Sequence, residues 1–201
     1  MKKRLIIGVT GGIGSGKSLV SAYIEKSGFP VIKSDDLAKK MMSEDKSLKS
    51  RIIKEFGESA YDSDGLNRKY LAEQIFSDPQ KAARINAIVH PPVMKKIKEL
   101  AAQLSVKNNM VFVESAIIYE AKLQDNFDYV VLISADEKIR IKRVIDREHL
   151  PEEEIEKRMK LQSSGTGNKE LADFVIENNS TLTDLENRTH FVLTLLKSIT
   201  A

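Results

Sequence analysis

Residues 4–23 read RLIIGVTGGIGSGKSLVSAY, and within them Gly11, four intervening residues, Gly16, Lys17 and Ser18 have the spacing of a phosphate-binding loop. Glycine suits such a loop because the backbone must turn its N–H groups inward and let phosphate oxygens approach without a Cβ in the way. A helix starting near Lys17 would point its unpaired N–H groups and the positive end of its dipole at the same place. Gly12, Gly14, Ser15, Gly16, Lys17, Ser18 and Leu19 are the residues expected to surround a triphosphate. Lys17 would reach the terminal phosphates, and the Ser18 hydroxyl would bind Mg²⁺. A glycine-rich turn without a ligand is the competing reading. Spacing and context together favour a bound nucleoside triphosphate.

Phosphoryl transfer also needs a carboxylate to receive a proton and cations to spread negative charge. Asp35, in KSDD at 33–36, follows a short apolar run and could accept a proton from an attacking hydroxyl. Ser34, Asp35 or Asp36 could equally cap the helix that SDDLAKKM begins, Ser34 or Asp36 capping while Asp35 faces the ligand. Glu114 follows the apolar run Met110–Val113, where a phosphate-loop protein often places a second Mg²⁺ contact. Direct ligation, ligation through water, or a hydrogen bond to the loop all fit it. Arg140, Arg143 and Arg147 recur at helical spacing and share a face. Either they form a solvated surface, or they and Arg158 close over phosphates, for which the planar guanidinium is suited. His90, His149 and His190 lack paired ligand spacing, which argues against zinc. Pro91 and Pro92 are expected to end a helix at His90, leaving that imidazole a helix-end hydrogen bond.

The elements that would position these residues follow from hydrophobic patterning. Strand-like runs occur at Leu5–Val9, Pro30–Ile32, Met110–Val113, Tyr129–Ile133 and Phe174–Ile176, with helical patterns between them. That alternation predicts an α/β fold: a three-layer architecture with a five-stranded parallel sheet between helices. Ligands in such sheets bind beyond the carboxyl ends of the strands, where the loop, Asp35 and Glu114 all fall. The stretch from Asp35 to Asn109 shows helical segments and no convincing strand, so a helical insertion is expected. A second irregular region joins the charged helix PEEEIEKRMKLQ to SSGTGNKE. The expected division is a core of 1–34, 107–146 and 170–201, a helical subdomain of 35–106, and a lid of 147–169.

The chain has 201 residues, 41% hydrophobic and 30% charged, which is ordinary for one globular core with an insertion. The formal net charge of +3 is mild and gives no basic stripe of the kind that binds nucleic acid. The absence of cysteine excludes disulfides and thiolate chemistry. No apolar run approaches a membrane span or a signal-peptide core, so the cytoplasm is expected and no membrane partner is. A GTPase reading fails on NKEL at 168–171, where Leu171 replaces the Asp that would read guanine. DSDG at 62–65 lacks a preceding apolar strand and reads as a polar turn. A motor or helicase would need further motifs. A small-molecule kinase fits best, with another nucleotide- or nucleoside-type kinase, or a regulatory NTP-binding protein, as alternatives.

The chain resembles the dephospho-CoA kinase family over nearly its whole length. GVTGGIGSGKS resembles that family's loop, and VIKSDDLAKKM its second-strand motif, with Asp35 at the second acidic position. DGLNRKYLAEQIFSD with RINAIVHPPV resembles the acceptor-domain signature. Arg143, Arg147, Arg158 and Gln162 match the lid, and LADFVIENN the closing segment. The resemblance implies ATP- and Mg²⁺-dependent phosphorylation of the ribose 3′-hydroxyl of dephospho-CoA by a monomer or small homo-oligomer. It makes Asp35 the base, Lys17 and Arg143 the charge-stabilising pair, and Arg147 and Asn178 further ATP contacts, Asn178 at the adenine. Arg68, His90 and Asp35 would hold the acceptor. Lys33 replaces the family's first motif Asp. After the third strand ESAIIYE stands where the family has Asp-x-Pro-Leu-Leu-x-Glu, keeping only Glu120 and exchanging Asp for Glu114.

Overall fold

The computed structural model describes residues 4–166 and 169–200; the side chains of residues 76–77 and 161–166 lie outside the description. Five parallel strands form one sheet: β1 (Leu5–Thr10), β2 (Val31–Lys33), β5 (Met110–Glu114), β6 (Tyr129–Ser134) and β7 (Phe174–Glu177), in the order β2-β5-β1-β6-β7. The five expected apolar runs are therefore the five strands. The sheet is covered on both faces, which is why β1 and β5 read as continuous apolar sequence rather than as alternation. Leu5, Ile7 and Val9 pack with Val20 and Ile24 of α1 (Lys17–Lys26) and with Leu185, Leu193 and Leu196 of α8 (Leu182–Thr200). On the opposite face a Cβ at Gly8 would sit 2.7 Å from Ile118 Cδ1 and 3.1 Å from the Phe127 ring. Glycine lets that cluster close against the central strand.

The chain divides into two compact units, Met1–Lys33 with Ala101–Ala201, and Ser34–Leu100. In the first unit α6 (Glu137–Glu148) and α7 (Glu152–Thr166) are joined through His149, which turns the chain in the left-handed region at φ 53. Ile141 and Val144 of α6 bury against Ile155 and Met159 of α7, and Ile13 of the glycine-rich loop packs on the same cluster. The charged helix extends through Ser163–Thr166, beyond the Gln162 at which sequence patterning ends it. Gly167 and Asn168 of the expected lid lie outside the described residues, as does the Gln162 side chain.

The second unit holds α2 (Ser34–Glu44), α3 (Lys46–Phe56), a hairpin of β3 (Tyr61–Asp62) and β4 (Gly65–Leu66), α4 (Arg68–Ser77) and most of α5 (Pro79–Leu104). The hairpin corrects the expectation of no strand in this region. Its turn is DSDG, with the Asp64 N–H on Asp62 Oδ1 at 2.9 Å and Gly65 at φ 112. Two-residue strands are too short to show alternation. Asp45 caps α3 through the Leu48 N–H at 2.9 Å, and Asn67 caps α4 through the Tyr70 N–H at 3.0 Å. The expected caps Ser34 and Asp36 are instead inside the first turn of α2, because the helix follows β2 with no intervening residue.

Pro91 and Pro92 do not end a helix at His90; α5 runs through both. Each proline removes an N–H that would bond a carbonyl one turn back and costs about 3 kcal/mol in a helix interior. What offsets this is visible in the burial: Ile85, Val89, Val93, Ile97 and Ala101, spaced by four, are all buried. Stopping at His90 would leave half of that stripe without a helix to carry it. His90 thus lies within a helix, half-buried, and burial lowers its pKa from the ordinary value. Because the prolines are tolerated rather than required, Pro91→Ala or Pro92→Ala should stabilise the fold by about 1–3 kcal/mol in urea unfolding. A loss of stability would show that the buried stripe depends on a proline bend.

Candidate active site

The loop between β1 and α1 is shaped by contacts to its carbonyl side. The Ser15 N–H bonds Gly12 O at 3.1 Å, Arg140 Nε bonds Ile13 O at 2.9 Å, and Asn178 Nδ2 bonds Ser15 O at 2.7 Å. The Leu19 and Val20 N–H groups both reach Gly16 O at 3.1 Å. Gly16 is the N-cap of α1 in the left-handed region, φ 96 and ψ 18, and no side chain caps the helix. Gly14 is at φ 77, and a Cβ there would lie 2.5 Å from the Arg140 carbonyl oxygen. The glycines are thus needed for backbone conformation and for the close approach of α6.

Four polar groups converge on this loop. Ser18 Oγ donates to Glu114 Oε1 at 2.8 Å, while Glu114 Oε2 is buried with no hydrogen-bond partner. Glu114 ends β5, in register with Val9 of β1 and Lys33 of β2, so the sheet itself brings it beside α1. Lys33, where the resemblance expected an acid, lies 3.8 Å from Glu25 of α1. Arg143 Nη2 donates to Asn178 Oδ1 at 3.2 Å, and Arg143 Nη1 is buried and unpaired. A buried unpaired carboxylate oxygen beside a hydroxyl fits a hard divalent cation, which keeps water and phosphate oxygens as its other ligands. No described cluster of three or more His, Cys, Asp or Glu could hold a metal without them. An open helix N-terminus, a lysine at its first position, a carboxylate–hydroxyl pair and an unpaired guanidinium N–H together suit a polyphosphate.

The family model described as dephospho-CoA kinase matches residues 5–184. The chain belongs to the dephospho-CoA kinase family. The relative named dephospho-CoA kinase in Shouchella clausii is 38% identical over 87% of this chain and 90% of its own. A Thermus thermophilus crystal structure superposes with a TM-score of 0.82 at 33% identity, covering 97% of this chain and 99% of the other. The dephospho-CoA kinase structure from Campylobacter jejuni gives 0.71 at 25% identity, over 95% and 96%. Membership makes the chain a kinase, a transferase of the phosphate-loop class.

Against the dephospho-CoA kinase expectations, the first unit gathers Gly12, Gly14, Ser15, Gly16, Lys17, Ser18, Leu19, Glu114, Arg143 and Asn178 at the carboxyl ends of β1, β5, β6 and β7. Asn178 is 4% exposed, and both ends of its amide are engaged within the protein. Its side chain therefore ties the Ser15 carbonyl to the Arg143 guanidinium. Arg140 also serves the loop, through Ile13. Arg147 pairs with Glu148, and Arg158 pairs with Glu148 at 3.3 Å and Glu154 at 2.7 Å, all on the surface. The shared face thus divides: Arg140 and Arg143 bind within the fold, while Arg147, like Arg158 on the next helix, is in an exposed ion pair. Asp35, Arg68 and His90 belong to the second unit, Asp35 in the first turn of α2, Arg68 first in α4, and His90 within α5.

Glu120 was not among the expected site residues. Its Oε1 is buried without a partner, and burial raises its carboxyl pKa, with its own backbone N–H and the Lys17 ammonium pulling it back. The signal in the sequence was its survival as the last acid of ESAIIYE. An acid whose pKa is higher in the folded state binds more protons there than in the unfolded chain. Stability then falls as pH rises from about 4.3, the unfolded value, through the folded value. Glu120→Gln removes that fall. The variant should gain melting temperature over the wild type at neutral pH and not at about pH 4; a larger gain in acid would contradict this.

Proposed function

We propose that this chain transfers the γ-phosphoryl group of ATP to the ribose 3′-hydroxyl of dephospho-CoA, giving coenzyme A and ADP. The observation that supports this best is the set of unpaired polar atoms around the loop, Glu114 Oε2 and Arg143 Nη1, in a member of this kinase family. The hydroxyl oxygen forms a bond to the γ-phosphorus as the bond to the β-phosphate oxygen breaks, and ADP departs. Asp35 takes the hydroxyl proton. Lys17 and the backbone of residues 12–19 hold the β- and γ-phosphates, and Arg143 meets charge on the transferring group. Ser18 and Glu114 would hold Mg²⁺, which neutralises phosphate charge when bound.

Residues 35–106, with Arg68 and His90, form the acceptor subdomain in this reading, and His90 is neutral at physiological pH. Residues 147–169 act as a lid, with Arg147 and Arg158 exchanging exposed carboxylate partners for ATP oxygens; exposed pairs of this kind cost little to break. Water would otherwise compete as acceptor. The enzyme would work in the cytoplasm as a monomer or small homo-oligomer. No helix among the described residues is long and apolar enough to cross a membrane.

Dephospho-CoA, and neither adenosine nor a nucleoside monophosphate, should stimulate ADP release in a coupled assay. ADP formation that ignores dephospho-CoA, or follows a nucleoside monophosphate, would replace this reading with another kinase. Asp35→Asn should lower turnover by about 10²–10⁴-fold with ATP binding nearly unchanged, as measured by calorimetry. Equal losses in both would mean that Asp35 only supports the first turn of α2. Glu114→Gln should raise the Mg²⁺ concentration for half-maximal rate by about 10–100-fold, read from a metal titration.

A further inference from the structure

The amide of Asn178 lies between an atom that only accepts and a group that only donates. Ser15 O, on the loop, takes the Nδ2 hydrogen at 2.7 Å, and the Arg143 guanidinium gives an Nη2 hydrogen to Oδ1 at 3.2 Å. A carboxylate could not donate to Ser15 O, and an ammonium could not accept from Arg143. The chemistry of the two neighbours also fixes which way round the amide stands. The backbone delivers it there firmly, since the Asn178 N–H bonds Ser134 O at 2.8 Å where β7 leaves the sheet. A Cβ at Gly16 would sit 2.3 Å from Nδ2, so the loop glycine also makes room for this bond.

The next residue repeats the device. Asn179 Oδ1 accepts the Asp136 N–H at 2.8 Å, and Asn179 Nδ2 donates to Asp136 Oδ1 at 3.0 Å, fixing the start of the helix that carries Arg143. Arg140 on the same helix holds Ile13 O. With Nη2 committed to Asn178, Nη1 is buried without a partner and is a donor for an incoming oxygen.

We propose that Asn178 is a positioning residue that couples the shape of the loop at Ser15 to the orientation of Arg143, and that it does not read the nucleotide base. The inference rests on the triphosphate-binding reading of the loop and deepens it. Two separable consequences follow from the two bonds. Losing the bond to Ser15 frees the loop and weakens binding of any triphosphate. Losing the bond to Arg143 misdirects the guanidinium and lowers the rate of transfer.

The test compares Asn178→Ala, Asn178→Asp, Arg143→Ala and the Asn178→Ala/Arg143→Ala pair, with ATP and GTP binding by calorimetry and kcat with dephospho-CoA. Asn178→Ala should weaken ATP and GTP by the same factor, about tenfold, and lower kcat. Asn178→Asp is nearly isosteric and keeps the acceptor for Arg143, so it should recover most of kcat while binding stays weak. The double variant should have the kcat of Arg143→Ala alone. A loss confined to ATP would overturn the proposal in favour of base reading, and multiplying kcat losses would overturn the coupling. Should Asn178→Ala fail to fold, the aspartate variant decides through its split between binding and kcat. If the wild type turns over no dephospho-CoA, the proposed function fails, and the ATP-to-GTP ratio still decides the role of Asn178.

Discussion

A backbone that binds phosphate must leave N–H groups open at one side while keeping a fixed shape. It cannot do so with internal hydrogen bonds alone, since each one consumes a donor. Here the shape is imposed through the carbonyls. Those of Ile13 and Ser15 are held by side chains from α6 and from the end of β7, and that of Gly16 by the first turn of α1. Only the Ser15 to Gly12 bond is drawn from within the loop among those contacts. The requirement explains why residues far apart in sequence, Arg140 and Asn178, are committed to a stretch of glycines.

The sheet then decides which charges stand beside the loop. With β1 between β5 and β6, the ends of three strands bring Glu114, Ser134 and Asn178 to the same edge. Glu114 and Glu120 each keep a buried oxygen without a partner, and Arg143 a buried nitrogen. Buried polar atoms are ordinarily paired, because leaving one unpaired costs about 1–3 kcal/mol. Glu114 beside Ser18, Glu120 under the field of Lys17, and Arg143 beside Asn178 leave both signs of charge unmet near the loop. The apolar cluster of Ile141, Val144, Ile155 and Met159, with Ile13 against it, keeps α6 and α7 seated beside that arrangement.

The loop and the five strands were legible because each is encoded by contiguous residues. The loop needs glycines at fixed offsets, and a doubly covered parallel strand needs an unbroken apolar run. Features set by distant partners were not legible. Nothing local at Pro91 and Pro92 says that a buried stripe on both sides carries the helix through them. The β3–β4 hairpin is too short for periodicity. The family resemblance implied an adenine contact for Asn178, and only the geometry shows a hydrogen bond at each end of its amide. Arg140, Arg143 and Arg147 share one spacing pattern yet divide into internal and surface roles, because spacing reports a face and not what opposes it.

The order of pairing has a consequence for synthesis. Leu5 pairs with Met110, Thr10 pairs with Leu132, and Ser15 waits for Asn178. A chain emerging from the ribosome exposes the glycine motif before its partners, with its apolar strand bare and its carbonyls unheld, until β5, β6 and the residues after β7 have followed. Non-local pairing of this sort is slow and leaves sticky surface in the interval. A nascent chain that stalls before β7 would carry every residue of the motif and still lack the strut that shapes it. The loop is made before every partner that holds it and takes its working form after them.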